Sequence, residues 1–259
     1  MGRRGPNGPK RAQPCFDEMC AAFDEFADDW DARHGPGSPN GRDFDARLRY
    51  LRSVCVDRAC PRVLDVGCAS GLYLFGLLDV VSEGVGIDAS PRMIDRARAV
   101  STRYQGMETL RFAVAAVENI TPAAFGRFDL IILVGTLEHL KDPRSALTAM
   151  RQVLAPVGEI VVIMRHPWYP TTLLRRLFNR SSEAPPHRHL LPRHLCGLAR
   201  DAGLEPVSLS PVGGRPPWNP RIRQGLALSP AARPLWTSLT YAAHLASPDS
   251  RGVHHVRAR

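Results

Sequence analysis

The chain has 259 residues, 44% hydrophobic and 23% charged, which is ordinary globular composition at a length that can bury one large core or one core plus a lid. Its net charge of +9 is carried almost wholly by scattered arginines, with Lys10 and Lys141 the only lysines and no basic strand interleaved with aromatics, so a solvated basic surface is expected rather than a nucleic-acid groove. No apolar run reaches membrane-span length, the first residues carry no apolar signal region, and Cys15, Cys20, Cys55, Cys60, Cys68 and Cys196 fit neither a C-x-x-C pair nor a zinc spacing, so reduced thiols in cytoplasm are expected.

In chain order, residues 1–14 are rich in Gly, Pro and Arg and read as a disordered basic tail. Residues 15–58 read as an N-terminal helical cap. Phe16, Met19, Cys20, Phe23, Phe26, Ala27 and Trp30 form one helical stripe, His34 to Asn40 a loop, and Phe44, Leu48, Leu51 and Val54 the apolar face of a second helix. From residue 59 onward the pattern alternates. Strands are predicted at 62–67, 84–88, 110–115, 128–134 and 157–165, and helices at 71–82, 91–104, 142–154 and 192–202. Gly203 stops the last helix, and a further strand follows to Leu209. Strand–helix alternation at this spacing implies an α/β, doubly wound parallel sheet. Residues 167–190 and 211–250 read as insertions that shape a lid, the second with a helix predicted around Leu235 to Leu245.

The most informative stretch is Arg62-Val63-Leu64-Asp65-Val66-Gly67-Cys68-Ala69-Ser70-Gly71. It reads as strand, glycine turn and helix start, a unit that binds ligands at the carboxyl edge of a parallel sheet. Asp65 precedes the turn, where an acid repels a pyrophosphate but pairs with an ammonium group. Val85-Gly86-Ile87-Asp88 then ends a second strand in a carboxylate placed to accept hydrogen bonds from two ribose hydroxyls. A ribose, a cationic amino-acid end and no phosphates describe S-adenosylmethionine.

At this point the chain resembles a known family, the class I S-adenosylmethionine-dependent methyltransferases, across about Arg62 to Leu209. The stretch from Val63 to Gly71 is similar to the family's first motif, and Val85 to Ser90 followed by Met93 to its second. Phe128 to Ile132 with Leu137-Glu138-His139-Leu140-Lys141-Asp142-Pro143 resembles the fourth, and Leu154 to Ile160 the turn before the fifth strand. The Leu-Glu-His-Leu form is most similar to small-molecule enzymes acting on quinones and natural products. The resemblance implies a Rossmann-like seven-stranded sheet, mostly parallel with an antiparallel last strand. Residues 252–259 resemble that strand. It also implies a donor site at Asp65, Gly67, Cys68, Ala69, Gly71, Asp88, Ala89, Met93, Ala116, Val117 and Gly135. The chain departs from the motifs in two places. Ala69 replaces the middle glycine, and Ala116 stands where the family often has an acid for the adenine amino group, leaving adenine to the Val117 backbone and to packing.

Methyl transfer from a sulfonium is an in-line displacement, so positioning supplies most of the acceleration and a base serves only an acceptor that loses a proton. His139, just past the fourth strand, is the first candidate for that base, with a capping or packing role as the alternative; His166, past the fifth strand, is the second. His187 and His189 read as an exposed loop pair, and His254-His255 as strand surface. Glu138 and His139 show no further ligand pair, so no metal is expected. The expected activity is methylation of a small molecule at oxygen, nitrogen or carbon. The alternatives are an RNA or protein methyltransferase and a non-catalytic binding protein. Against a nucleobase-amine enzyme stands Leu133-Val134-Gly135-Thr136-Leu137, which lacks an Asn/Asp-Pro-Pro-aromatic run. Acceptor identity and oligomeric state are open at this level.

Overall fold

The computed structural model describes residues 16–38, 40–59, 61–102, 106–165, 190–212 and 240–248. Seven strands form one sheet in the order β3-β2-β1-β4-β5-β7-β6. They are β1 (Arg62–Val66), β2 (Glu83–Asp88), β3 (Leu110–Val114), β4 (Phe128–Val134), β5 (Leu154–Arg165), β6 (Glu205–Val212) and β7 (Thr240–Ala246). The pairs from β3 through β5 are parallel, and β7 runs antiparallel to both β5 and β6. From β1 the chain winds outward to β2 and β3, then returns to place β4 on the other side of β1. That reversal leaves a crevice at the carboxyl ends of β1 and β4, the place where such sheets bind ligands.

The helices are α1 (Phe16–Phe26), α2 (Trp30–His34), α3 (Gly41–Val56), α4 (Leu72–Leu77), α5 (Pro91–Ser101), α6 (Pro122–Phe125), α7 (Pro143–Gln152) and α8 (Pro192–Asp201). Their starts are written in the sequence. Ser90 and Asp142 accept backbone N–H bonds from the first turns of α5 and α7, and each is followed by a proline whose missing N–H costs nothing there.

The central strands are apolar on both faces because helices cover both. Val63, Leu130, Ile132, Val161 and Ile163 pack under α3, α4 and α5 through Leu51, Leu74, Leu77 and Ile94. Leu64, Val66, Ile131 and Leu133 pack on the other face under α7 and α8 through Leu147, Met150, Leu195 and Ala199. Each fully buried leucine or isoleucine contributes about 1.5–3 kcal/mol, so these layers fix the helices firmly against the sheet.

Two expectations at the carboxyl end of the chain are corrected. Residues 240–246 form a strand, not the helix predicted around 235–245. Thr-Tyr-Ala-Ala-His-Leu-Ala favours a helix locally, yet the segment is covered on both sides and fills the slot between β5 and β6, so tertiary pairing overrides propensity. The second insertion is correspondingly shorter, because β6 extends to Val212 and β7 begins at Thr240. The antiparallel strand assigned to 252–259 is supplied by β7; residues 252–259 lie outside the described residues, as do 1–14 and 166–189. The first helical stripe is two helices separated by a turn at 27–29. Among the described residues no helix is long and apolar enough to cross a membrane.

Candidate functional site

The crevice is built around the β1–α4 turn. Gly67 and Gly71 adopt φ of +71° and +84°. A Cβ on Gly67 would stand 2.3 Å from the Thr136 methyl, and one on Gly71 would stand 2.8 Å from the Phe112 ring, so the turn has no room for a side chain at either place. Ala69 takes φ of +49° between them, a conformation that L-residues rarely adopt. The N–H groups of Gly67 and Cys68 both donate to the Ile87 carbonyl, at 2.8 and 3.0 Å, which ties the turn to the end of β2.

Asp88 ends β2 and faces that turn. Its Oδ2 accepts from Ala69 N at 2.9 Å and its Oδ1 from Ser90 N at 2.9 Å. Burial raises its pKa, opposed by these backbone bonds. Asp65, at the end of β1, is 1% exposed, and its Oδ2 has no hydrogen-bond partner. Burial, with the nearby Asp88 charge second, pushes its pKa up to about 8. An orphaned carboxylate oxygen in so dry a place marks a position for a cationic group.

A residue of complementary charge lies on α3. Phe44, Leu51 and Val54 turn one face of α3 to the core, and Arg47 shares that face at helical spacing. Its Nε is buried with no hydrogen-bond partner. Tyr73 lies near both: burial raises its pKa, while the charge of Arg47 and a hydrogen bond with the Arg47 side chain oppose that and the Asp65 charge adds to it. A carboxylate only accepts and a guanidinium only donates, so the two unmet atoms match in kind an ammonium and a carboxylate, the two ends of a free amino acid.

The other predicted donor-site residues collect around the same crevice. Met93 is fully buried on α5, where it packs with Ala69 and with Ala27 from the α1–α2 turn. Ala89 follows Asp88, and Cys68 is buried within the turn. Ala115 N donates to Asp88 O at 3.0 Å, which brings Ala116 and the buried Val117 beside the end of β2. Gly135, at φ of +70°, ends β4 and donates its N–H to Ile163 O at 2.9 Å.

His139 follows in the turn after β4, its N–H donating to Thr136 O at 2.9 Å and its ring edge-on to Phe23 at 5.3 Å. Glu138 beside it is 8% exposed, and its Oε1 lies 3.9 Å from His139 Nε2. Burial pushes Glu138 up to about 7 against the opposing charges of Arg165 and Arg47. His166, His187 and His189 lie outside the described residues, as do His254 and His255. Among the described residues no group of three His, Cys, Asp or Glu is placed to hold a metal ion.

Arg47 escaped sequence reasoning. It is one of several arginines on a helix twenty residues before the turn, and only its shared face with Leu51 and Val54 distinguishes it. Asp24, Asp28 and Asp31 escaped too, because their partners Ser70, Ser90, Arg92 and Arg96 lie about 40 to 70 residues further along the chain.

Comparison with known proteins agrees with this fold. A family described as "Methyltransferase domain" matches residues 16–209. A protein of Cereibacter sphaeroides named ubiquinone biosynthesis O-methyltransferase is 29% identical over 211 residues, covering 72% of this chain and 82% of that one. Among solved structures, the N-methyltransferase NodS of Bradyrhizobium japonicum with bound S-adenosyl-L-homocysteine has a TM-score of 0.63 at 20% identity, over 90% of this chain and all of that one. Magnesium protoporphyrin IX methyltransferase of Synechocystis PCC 6803, also with S-adenosylhomocysteine, has a TM-score of 0.63 at 13% identity, over 88% of this chain and 98% of that one. The chain therefore belongs to the methyltransferase domain family and is an enzyme that uses S-adenosylmethionine as its methyl donor.

Proposed function

We propose that the chain methylates a small-molecule acceptor held between the end of β4 and the N-terminal helices, with the donor seated in the β1–α4 crevice. The observation that carries this reading is the pair of buried, unpartnered atoms Asp65 Oδ2 and Arg47 Nε, on two side chains that both lie near Tyr73. Asp65 takes the donor's ammonium and Arg47 its carboxylate. The free lone pairs of Asp88 take the ribose hydroxyls. Met93 and the Val117 backbone take the adenine ring, with Ala89, Ala116 and Cys68 as neighbours. Gly67, Ala69 and Gly71 keep side chains away from the donor, and Gly135 leaves its far side open towards Glu138.

The acceptor's nucleophile attacks the methyl carbon opposite the sulfur. The carbon–sulfur bond breaks as the new bond forms, and the neutral thioether leaves as S-adenosylhomocysteine. Alignment supplies on the order of 7–11 kcal/mol of the lowered barrier. Where the acceptor is a hydroxyl, its proton passes to His139, whose ring faces the N-terminal helices beside the near-neutral carboxyl of Glu138. The Cereibacter relative, named for ubiquinone biosynthesis, supports a phenolic or quinol acceptor. We place the reaction in the cytoplasm, where a thiol such as Cys68 stays reduced.

The test is transfer of an isotopically labelled methyl group from the donor to a panel of dihydroxybenzoates and quinols, followed by mass spectrometry. The expected product is an acceptor heavier by one methyl group. With that acceptor, His139→Ala is expected to lower kcat about 10²-fold or more at unchanged donor affinity. Equal kcat in the variant removes His139 from the base role.

A further inference from the structure

Three aspartates of the α1–α2 segment reach across the donor crevice. Asp31 Oδ1 accepts from Ser70 Oγ at 2.5 Å, in the β1–α4 turn itself. Its other oxygen accepts from Arg96 Nε at 2.8 Å, on α5. Asp24 accepts from Ser90 Oγ, and Ser90 also receives Met93 N at 3.1 Å as the N-cap of α5. Arg92 grips the same segment twice, through the Asp24 carbonyl at 3.0 Å and the Asp28 carboxylate at 2.6 Å. Ser70 lies in the glycine turn, and Ser90, Arg92 and Arg96 follow Asp88 on the cap and first turns of α5.

Between these polar contacts the segment presses directly on the donor-site residues. Ala27, 2% exposed, packs on Ala69 and on the fully buried Met93, with Phe23 and Trp30 alongside. A small molecule therefore reaches or leaves that part of the crevice only when α1 and α2 move. The apolar part of the contact is one local cluster, Phe23, Ala27 and Trp30 against Ala69 and Met93, and the polar contacts on either side add to its hold. The Arg92–Asp28 pair is also open to water. The side chains of Arg92 and Asp28 are 50% and 76% exposed, and a cleft of about 390 Å³ runs past Ala27, Asp28, Arg92, Asp95 and Arg96. On the carboxyl side, Gly37 sits at φ of +75° with nothing near it, between α2 and α3, where a hinge needs freedom.

We propose that α1 and α2 form a lid latched over the methyl-donor site, and that breaking the Asp24, Asp28 and Asp31 contacts sets the rate at which donor enters and S-adenosylhomocysteine leaves. The inference rests on the donor placement proposed above. Both ends of the latch sit on the loops that hold the ribose and the turn, so the lid closes on the two loops together. The charges hold the closed state without touching the ligand. Loosening them speeds entry and exit alike and changes the equilibrium affinity far less.

The test is stopped-flow release of S-adenosylhomocysteine from the full chain, chased with excess S-adenosylmethionine. Asp31→Asn and, independently, Arg96→Gln are expected to speed release about tenfold, with Kd moving less than about threefold. Asp28→Asn, at an exposed pair, is expected to speed it about twofold. Raising NaCl from about 0.05 to 0.5 M is expected to speed wild-type release several-fold and to affect Asp31→Asn less, because screening and substitution remove the same contact. Release rates that are equal across the variants, or indifferent to salt in the wild type, overturn the latch while leaving the donor site standing. Failure of the wild type to bind S-adenosylhomocysteine overturns the donor placement and the latch with it. A variant that does not fold leaves the wild-type salt dependence to decide.

Discussion

Two polar clusters lie under α3 against the same face of the sheet, and they are finished to different degrees. Near the carboxyl end of β1, Asp65 Oδ2, and on α3 Arg47 Nε, are buried without a hydrogen-bond partner. Towards the start of β4, Tyr50, His244, Glu159 and Arg58 satisfy one another. Tyr50 Oη donates to His244 Nε2 at 2.5 Å, His244 Nδ1 donates to Glu159, and Arg58 pairs with the second oxygen of Glu159. Burial, with the Arg58 charge second, pulls His244 down to about 4, so the ring is neutral and fits between a donor and an acceptor. A closed network locks α3 onto β5 and β7. The open one leaves two polar atoms unmet. The fold tolerates the unmet charge at the first place because the second, with the apolar face of Leu51 and Val54, already fixes the helix.

Substitutions that separate the two clusters test this contrast. The largest effect is expected from Glu159→Ala, which leaves Arg58 buried without its carboxylate. It should cost about 3–5 kcal/mol in urea unfolding, with donor affinity per folded molecule unchanged. Asp88→Ala should do the reverse and weaken S-adenosylhomocysteine binding more than tenfold by calorimetry, over 1.4 kcal/mol, with a smaller loss of stability. Asp65→Asn should likewise weaken the ligand while making the ligand-free chain more stable at pH 8. The smallest effect belongs to Tyr50→Phe, which removes one hydrogen bond and should cost about 1 kcal/mol with no change in binding.

The pH dependence separates the clusters by sign. Asp65 has its folded pKa raised to about 8, so the folded chain binds its proton more tightly, and this group lowers stability as pH rises from 3.8 towards 8. His244 has its folded pKa depressed to about 4, so its contribution is complete above 6.5 and is lost as pH falls from there through 4. Unfolding measured across that range should show Asp65→Asn removing the loss of stability between pH 3.8 and 8 and leaving the His244 loss below 6.5 in place. Donor binding should tighten as pH rises through 8 and release a proton below it, which calorimetry in two buffers of different ionisation heat detects.

The legible parts of the molecule are those whose causes lie close together in sequence. The strand and turn around Asp65 and Gly67, the acid at Asp88 and the Ser90-Pro91 and Asp142-Pro143 helix starts each depend on a handful of neighbouring residues, and the structure places all of them as read. Arg47 was hidden because its significance depends on Asp65 lying across a space. The network of Tyr50, Glu159 and His244 was hidden because it joins residues 194 positions apart. β7 was misread for a related reason: Ala242 and Ala243 favour a helix in isolation, and only the waiting edges of β5 and β6 make them a strand.

The place of β7 in the sheet has a consequence for synthesis. It is the last strand of the described chain, yet it lies inside the sheet, between β5 and β6. While the ribosome is still working through the seventy-odd residues after β5, the outer edge of β5 has no partner, and β6 has none either. The nascent chain thus carries two bare strand edges until Thr240 to Ala246 emerges and closes both at once. Chains cut short before Thr240 should accumulate as aggregates rather than as a smaller folded core.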